Sequence, residues 1–206
     1  SKTYGESDPA LTYTHTELVG SDALDITVSR ASGETANTYT ITASQEDGAN
    51  PNYEITFKTG IFTIRKAPLT VTVEDKTATY GDAVPTYTVK YEGFKNGDDK
   101  DDLGGAFAFE CGYAQFSDKG EYTIKASGYT SGNYTISYVD GKLTVNAKPI
   151  TVTIQNATSV YGETLAELKA TDNGIVNGDT NVYSLATTAT GTSNVGKYAI
   201  TGTALD

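Results

Sequence analysis

Three short stretches decide the fold of this chain: Tyr4-Gly5-Glu6, Tyr80-Gly81-Asp82 and Tyr161-Gly162-Glu163. They share the pattern Tyr-Gly-acid and stand about 80 residues apart, and self-similarity at a fixed period is the signature of tandem repeats. The tyrosine can bury its ring, the glycine can turn the chain, and the acid can accept backbone N–H bonds in that turn. We therefore predict that Tyr4, Gly5, Tyr80, Gly81, Tyr161 and Gly162 are structural residues.

Other landmarks recur in the same order between these stretches. Asn96-Gly97-Asp98 in the second copy corresponds to Asn177-Gly178-Asp179 in the third, and the first copy has Gly20-Ser21-Asp22 at this place. A strand with alternating polar and apolar residues follows in each copy, at Thr38–Ala43, Glu121–Ala126 and Lys197–Gly202. Ordered recurrence of this kind indicates homologous repeats.

Two copies continue with a further pair of alternating strands. Asn52–Phe57 and Gly60–Ile64 are matched by Asn133–Tyr138 and Gly141–Val145, whereas the third copy stops before this point. Asp140-Gly141 lies between two such strands and predicts a β-hairpin, because glycine takes the positive φ that the turn needs. The second half of each copy is thus predicted to be a meander.

Prolines mark the joints between copies. Pro68 and Pro149 each open an alternating strand, Pro68–Val73 and Pro149–Ile154, where a missing N–H costs little and the ring stiffens the joint. We place the repeats at 1–66, which lacks the first strand, at 67–148, which is complete, and at 149–206, which lacks its last strands. The missing strand before Tyr4 would otherwise be supplied by a preceding repeat as a shared edge.

The composition predicts an all-β protein. The chain has 15 Tyr and 21 Gly but no Trp or Met, a mixture that suits half-buried pleated surfaces joined by tight turns. Thr164–Lys169 is the one stretch that could form a short helix. We expect tandem small β-sandwich modules of immunoglobulin-like type, with a β-grasp-like roll as the alternative topology.

The net charge of −11 excludes some classes of partner. A chain that phosphate repels is not expected to bind nucleic acid or an anionic membrane. No apolar run approaches the roughly 20 residues that a membrane-spanning helix needs, so we expect no membrane insertion by this segment. It is expected to belong to a longer parent whose export signal and anchor lie elsewhere.

Few residues are candidates for a binding site. The acidic loop at Asp98, Asp99, Asp101 and Asp102 could offer oxygen ligands to calcium, but it lacks the spacing of a known calcium loop, and a solvated turn is the favoured interpretation. We expect Tyr113 and Tyr129 to be exposed, where they could stack on sugar rings, and Phe107, Phe109 and Phe116 make the middle copy the place to look. No other cofactor is expected.

Nothing in the chain predicts catalysis. His15 is the only histidine, so a Ser-His-Asp triad would have to depend on the first copy alone. Cys111 is the only cysteine, which excludes an intrachain disulfide and is best interpreted as an incidental thiol. We expect a non-enzymatic protein.

The ordered set of Tyr-Gly-acid, Asn-Gly-Asp, Gly-x-Tyr-x-Ile, Asn-Tyr-x-Ile and Gly-x-[Leu/Phe]-Thr-[Val/Ile] resembles the MBG (mostly-beta, glycine-rich) repeat of the YGX type. The resemblance covers nearly the whole chain. It implies a secreted segment of a bacterial cell-surface adhesin, with neighbouring repeats of the parent as partners and no catalytic residues. The resulting hypothesis is a structural stalk that projects a binding region from the cell; the alternative is that the modules themselves bind host mucin, glycan or matrix protein.

Overall fold

A computed structural model describes residues 1–180 and 182–205 and confirms an all-β chain of several small sheets. Thr164–Lys169 is not helical, so that prediction is wrong; these residues have no helical turn, and the one helix among the described residues is the 3-10 turn at Lys100–Asp102. The strands are β1 Lys2–Thr3, β2 Thr27–Arg30, β3 Thr38–Ser44, β4 Gly60–Arg65, β5 Ala67–Val73, β6 Lys76–Thr79, β7 Val89–Glu92, β8 Gly104–Cys111, β9 Gly120–Thr130, β10 Tyr134–Val139, β11 Gly141–Asn146, β12 Thr151–Ile154, β13 Ala170–Asn173, β14 Tyr183–Thr187 and β15 Ile200–Ala204.

The first repeat forms one sheet in the order β1-β4-β3-β2. β3 pairs antiparallel with both β2 and β4, and β1 pairs parallel with β4. Side chains of β4 alternate, so that Phe62 and Ile64 are 1% and 2% exposed while Ile61 is 75% exposed. This alternation gives the sheet one apolar face, as the period of two in the sequence predicts.

The second repeat places β5 at the centre of a sheet in the order β10-β5-β7. β5 pairs antiparallel with β7 and parallel with β10. Its buried residues Ala67, Leu69, Val71 and Val73 alternate with exposed or half-buried ones, which fits the predicted strand at Pro68–Val73. The same repeat also contains the parallel pair β6 with β11 and the antiparallel pair β8 with β9.

The predicted hairpin at Asp140-Gly141 is wrong. β10 ends at Val139 and is bonded to β5, whereas β11 begins at Gly141 and is bonded to β6. The two successive strands therefore belong to different sheets, and the second half of the repeat is not a meander. A local turn signal could not foresee this, because the parallel partners of the two strands, β5 for β10 and β6 for β11, lie 67 residues earlier in the sequence (134 − 67 and 143 − 76).

The predicted strand at Asn52–Phe57 is also not formed. Its counterpart in the second repeat, β10, takes its hydrogen bonds from β5. No strand equivalent to β5 is present in residues 1–66, so an alternating sequence at this place has no ladder to join.

The third repeat contributes two antiparallel pairs, β12 with β13 and β14 with β15. These pairs correspond to the β5–β7 and β8–β9 pairs of the second repeat. The strand that the sequence predicts at Lys197–Gly202 is shorter at its start, because β15 begins at Ile200.

The chain divides into two compact units, and neither unit coincides with one repeat. The first comprises Ser1–Glu74, Tyr87–Cys111 and Thr123–Lys142, and the second comprises Asp75–Thr86, Gly112–Tyr122 and Leu143–Asp206. Each unit therefore combines parts of two successive repeats. The main apolar core of the first unit shows this directly, because it joins residues of the first repeat with residues of the second: Tyr4, Phe62, Ile64, Ala67, Leu69 and Tyr134.

Candidate functional site at the joints between repeats

The Tyr-Gly-acid stretches form closed turns of the same kind. In the first, the backbone N–H of Glu6 donates to the Thr3 carbonyl at 3.0 Å, and the Thr3 N–H donates back to the Glu6 carboxylate at 2.7 Å. In the second, Asp82 and Thr79 exchange the same two bonds at 2.9 and 2.7 Å. Gly5, at φ 86°, lies in the left-handed region that the turn requires. The acid of the motif thus closes its own turn by accepting a backbone hydrogen bond.

The Asn-Gly-Asp stretches form a second set of matching turns. The N–H of Asp98 donates to the Lys95 carbonyl at 2.9 Å, and the intervening Asn96 and Gly97 both have positive φ. This is the pattern of a type I′ turn, for which Asn-Gly is the preferred pair. The same bond recurs from Asp179 to Val176 at 3.1 Å.

In the first unit the two kinds of turn meet. The hydroxyl of Tyr4, from the first repeat, donates to the Asp98 carboxylate of the second repeat at 2.9 Å, and the hydroxyl of Tyr134 donates to the same carboxylate at 2.7 Å. The two rings pack edge to face with centroids 5.5 Å apart. Tyr4 and Tyr134 are 7% and 3% exposed, so both tyrosines are shielded from water, while Asp98 is half-buried.

The surroundings of Tyr134 favour its neutral form. Burial, followed by the hydrogen bond to Asp98, raises the pKa of Tyr134 to about 12. The hydroxyl also accepts a bond from the Lys95 N–H at 2.8 Å. Tyr134 therefore ties both ends of the Asn-Gly-Asp turn to the core.

In the second unit the same contact recurs one repeat later. The hydroxyl of Tyr80 bonds to the carboxylate of Asp179, and this bond, with partial burial, raises the pKa of Tyr80. The ring of Tyr80 lies edge to face with Phe116, centroids 6.4 Å apart. A tyrosine of one repeat thus contacts the Asp of the next repeat's turn in both cases.

The glycine of each motif makes a close approach in the same place. A Cβ on Gly5 would lie 2.5 Å from the Cβ of Lys95, the residue before Asn96, and a Cβ on Gly81 would lie 3.1 Å from Val176, the residue before Asn177. At Gly162 a Cβ would meet no atom within 4 Å, and Tyr161 is 63% exposed. The glycine is required where a following repeat packs against it, in addition to its role in the turn.

Of the predicted structural residues, Tyr4, Gly5, Tyr80 and Gly81 therefore lie at joints between repeats, together with Pro68 and Pro149 described below, whereas Tyr161 is exposed and Gly162 approaches no side chain. We define each joint as the Tyr-Gly-acid turn of one repeat, the Asn-Gly-Asp turn of the next, and the strand that connects the two repeats. Sequence reasoning located both motifs but missed that they contact each other. Their strict order within every copy was the available signal.

The connecting strand adds further contacts to the first joint. Lys66 alone separates β4 from β5, and its ammonium donates to the Ser131 carbonyl at 2.7 Å. The Ala67 N–H donates to the Asn133 carbonyl at 2.9 Å. Pro68 lies on the exposed side of β5, and a Cβ on Gly93 would lie 2.4 Å from the Pro68 carbonyl oxygen.

Pro149 of the second joint precedes β12, which begins at Thr151. Gly174 lies close to the Pro149 carbonyl, just as Gly93 lies close to the Pro68 carbonyl. The two prolines are thus at matching positions beside a glycine. Gly93 and Gly174 were not predicted to be structural residues. A side chain at either position would meet the backbone of the connecting strand, which explains the glycine at this place in both repeats.

The acidic loop does not bring its carboxylates together. Asp98 accepts the two tyrosine hydroxyls, Asp99 accepts the Asp101 N–H as the cap of the 3-10 turn, and Asp102 accepts the Asp99 N–H. Asp101 pairs with Lys100. Among the described residues no group of three His, Cys, Asp or Glu side chains is arranged to hold a metal ion. Calcium binding at this loop stays a prediction.

The expectation that Tyr113 is exposed is wrong. Tyr113 is 5% exposed, and its hydroxyl donates to the Asp82 carbonyl at 2.7 Å, so its ring is part of the core of the second unit. Tyr129 is half-buried, stacks on Phe107 with centroids 4.3 Å apart, and bonds through its hydroxyl to that of Tyr91 at 2.7 Å. Sugar stacking by Tyr129 stays a prediction.

An ion network around the buried Lys2 in the first repeat was not predicted from the sequence. Lys2, 7% exposed, pairs with Asp8 at 2.8 Å and with Glu34, and Arg30 pairs with the same two acids. Hydrogen bonds from Arg30 and then Lys2 lower the pKa of Asp8 to about 2. The guanidinium of Arg30 also lies over the Phe62 ring at 5.1 Å, so the network covers the core beside β4.

The repeated turns, small sheets and shared core define an all-β protein built of tandem, interlocked repeats. Comparison with family models then gives the particular family: the MBG domain (YGX type) matches residues 1–63, 69–144 and 150–206, and the chain belongs to this family. Comparison with curated proteins finds no match, and comparison with solved structures finds none either. No helix among the described residues is long and apolar enough to cross a membrane.

Proposed function

We propose that this chain is a non-enzymatic structural segment of a bacterial cell-surface adhesin, in which tandem MBG repeats act as an extracellular stalk. The family match supports a surface-protein repeat module. The observation that carries the stalk proposal is the construction of the joints, because a stalk requires successive repeats to hold a fixed orientation.

The first joint has the features of a rigid connection. Its core contains Phe62 and Ile64 of the first repeat together with Ala67 and Leu69 of the second. A connection of one residue, Lys66, leaves little freedom between β4 and β5. Interfaces between domains are ordinarily more polar and allow motion, whereas a large apolar one restricts it. The partly buried Tyr4–Asp98 hydrogen bond adds a directional constraint to this apolar core.

Solution scattering tests the proposal. We expect the full chain to scatter as an elongated particle, and we expect Asp98→Ala, which removes the acceptor shared by Tyr4 and Tyr134, to broaden its distribution of dimensions. Tyr13→Phe is the matched control, because it removes a tyrosine hydroxyl that bonds only to the exposed Leu24 carbonyl. A compact globular profile of the unaltered chain would overturn the stalk proposal.

Binding of host mucin, glycan or matrix protein by the modules is the second candidate function, and the Phe107–Tyr129 stack favours it. Phe107 also meets Phe109 edge to face at 5.0 Å, which extends the aromatic surface along β8. Flat rings of this kind can stack on sugars.

The second candidate is tested by binding of the chain to immobilised mucins, matrix proteins and glycans, with and without calcium. Saturable binding that Phe107→Ala abolishes and that Tyr198→Phe preserves would support it. Dependence of the binding on calcium would indicate a role of the acidic loop at Asp98–Asp102. An absence of binding to every member of the panel would favour the stalk proposal.

A further inference from the structure

The second repeat begins and ends with strands that run side by side in the same direction. β5 and β10 pair in parallel through six register partners, from Ala67 with Tyr134 to Thr72 with Val139. β6 and β11 pair in parallel through four, from Lys76 with Leu143 to Thr79 with Asn146. Both pairings have the same sequence offset of 67 residues (134 − 67 and 143 − 76).

The order of the strands in the chain determines how a pulling force acts on the β5–β10 pair. The chain enters β5 at Ala67, its amino end, and leaves β10 at Val139, its carboxyl end. Because the strands are parallel, these two points lie at opposite ends of the paired segment. Tension along the chain therefore slides the strands past each other, and all six register partners resist at once.

We propose that the β5–β10 pair is a mechanical clamp that holds the repeat folded when the chain is stretched. The inference rests on the proposed function, since only a load-bearing segment is pulled from both ends. If the same strands were pulled from adjacent ends, their hydrogen bonds would break one after another. The pair would then resist only as strongly as a single bond.

Of the two strands, β5 is shielded from solvent, whereas β10 is the edge strand of the sheet. Leu69 and Val71 are fully buried, and β5 lies between β10 and β7, so neither edge of it faces solvent. The Ser137 hydroxyl donates to the Leu69 carbonyl at 3.4 Å and lies 3.3 Å from the Thr70 hydroxyl, which adds side-chain bonds between the two strands. Hydrogen bonds are electrostatically stronger where water is excluded, and β5 provides that environment on one side of the pair.

The first repeat shows that the arrangement is not equally strong everywhere. Its parallel pair β1 with β4 corresponds to β6 with β11, because β1 and β6 each directly precede a Tyr-Gly-acid turn, and it has two register partners, Lys2 with Ile64 and Thr3 with Arg65. Under the same tension we expect this pair to yield before β5–β10.

The test is single-molecule force spectroscopy on the full chain, with handles attached at two cysteines in a Cys111→Ser background. Lys66→Cys with Asp140→Cys pulls the pair in shear, because the handles lie before β5 and after β10. Lys66→Cys with Gly132→Cys pulls the same pair from adjacent ends, because both handles precede their strands. Asp140 is exposed, and a Cβ at Gly132 meets no atom within 4 Å, so both sites accommodate cysteine.

The two variants share the clamp and differ only in the direction of pulling. We expect rupture forces about two- to sixfold higher in shear, since six partners break together rather than singly. The length of chain between the handles identifies the rupture events. Fully extended, it is roughly 250 Å for 74 residues (140 − 66) in the shear variant and roughly 220 Å for 66 residues (132 − 66) in the other.

Equal forces in the two directions, a lower force in shear, or no resolved rupture in shear would each overturn the clamp. Circular dichroism and chemical unfolding of both variants confirm beforehand that they are folded and equally stable. The result is independent of the scattering experiment: a compact profile would overturn the stalk and leave the force ratio unchanged, and a ratio of one would overturn the clamp alone.

Discussion

At the scale of single residues, the repeated Tyr-Gly-acid turn has two separable requirements at its glycine. Gly5, Gly81 and Gly162 have nearly the same backbone conformation, with φ of 86°, 93° and 85°. They differ in what a side chain would meet: Lys95 at 2.5 Å, Val176 at 3.1 Å and open space. The three positions therefore distinguish the role of the turn from the role of the joint.

Replacing each glycine with alanine is expected to destabilise the chain in the order Gly5, Gly81, Gly162. All three variants carry the strain of a positive φ, about 1–2 kcal/mol, and the overlap with a neighbouring repeat adds about 1–3 kcal/mol at Gly5 and less at Gly81. Chemical unfolding of the three variants measures the series. Equal losses at all three positions would contradict a role of the glycine in packing between repeats.

The Asp98 joint should weaken in alkali. An unfolded tyrosine has a pKa near 10, and that of Tyr134 is raised to about 12 in the folded chain. A raised folded pKa means that this contribution to stability is fully present below about pH 10 and is lost as the pH rises through about 12. The melting temperature between these limits should therefore fall less steeply in Tyr134→Phe than in the unaltered chain; an identical fall in both would contradict this.

At the scale of elements, β4 and β5 form a nearly continuous extended segment that passes from the sheet of one repeat to the sheet of the next. The apolar residues of both strands face one core, with Ile64 on β4 and Leu69 on β5. Lys66 is the only residue between the strands. The connection between repeats is thus itself a structural element and not a linker.

Truncation of Leu69 should consequently destabilise both repeats that meet at the joint. Leu69 is fully buried, and Leu69→Ala is expected to cost about 3 kcal/mol in the free energy of unfolding. Ile61→Ala on the adjoining strand, where the side chain is 75% exposed, should change it by less than about 0.5 kcal/mol. Denaturant unfolding monitored in each repeat would detect the shared loss; a loss confined to the second repeat would contradict a shared core.

At the scale of the whole molecule, the compact units and the repeats are out of phase. The first unit contains the whole first repeat together with β5, β7, β8, β10 and most of β9 of the second. A repeat of this kind should not be an independent folding unit, because part of its core is supplied by the next repeat. Stability is then a property of neighbouring pairs, as in other repeat proteins.

The fragment 1–66 is therefore expected to be unfolded, whereas the fragment 1–148 is expected to retain the first unit. The shorter fragment lacks Ala67, Leu69 and Tyr134, which complete the core around Tyr4 and Ile64. The dispersion of amide resonances in NMR spectra of the two fragments distinguishes the outcomes. A well-dispersed spectrum of 1–66 would show that the first repeat folds alone.

The sequence by itself determined what is local and what is repeated. Alternation of apolar residues and turn chemistry predicted the all-β class and strands such as Pro68–Val73, and recurrence located the residues of the joints. Tertiary structure alone decided the pairing. The hairpin at Asp140-Gly141, the strand at Asn52–Phe57 and the exposure of Tyr113 were predicted from local patterns and were wrong. A strand's partner is selected by register and burial across many residues, so an alternating segment shows that it can form a strand but not which neighbour supplies its hydrogen bonds.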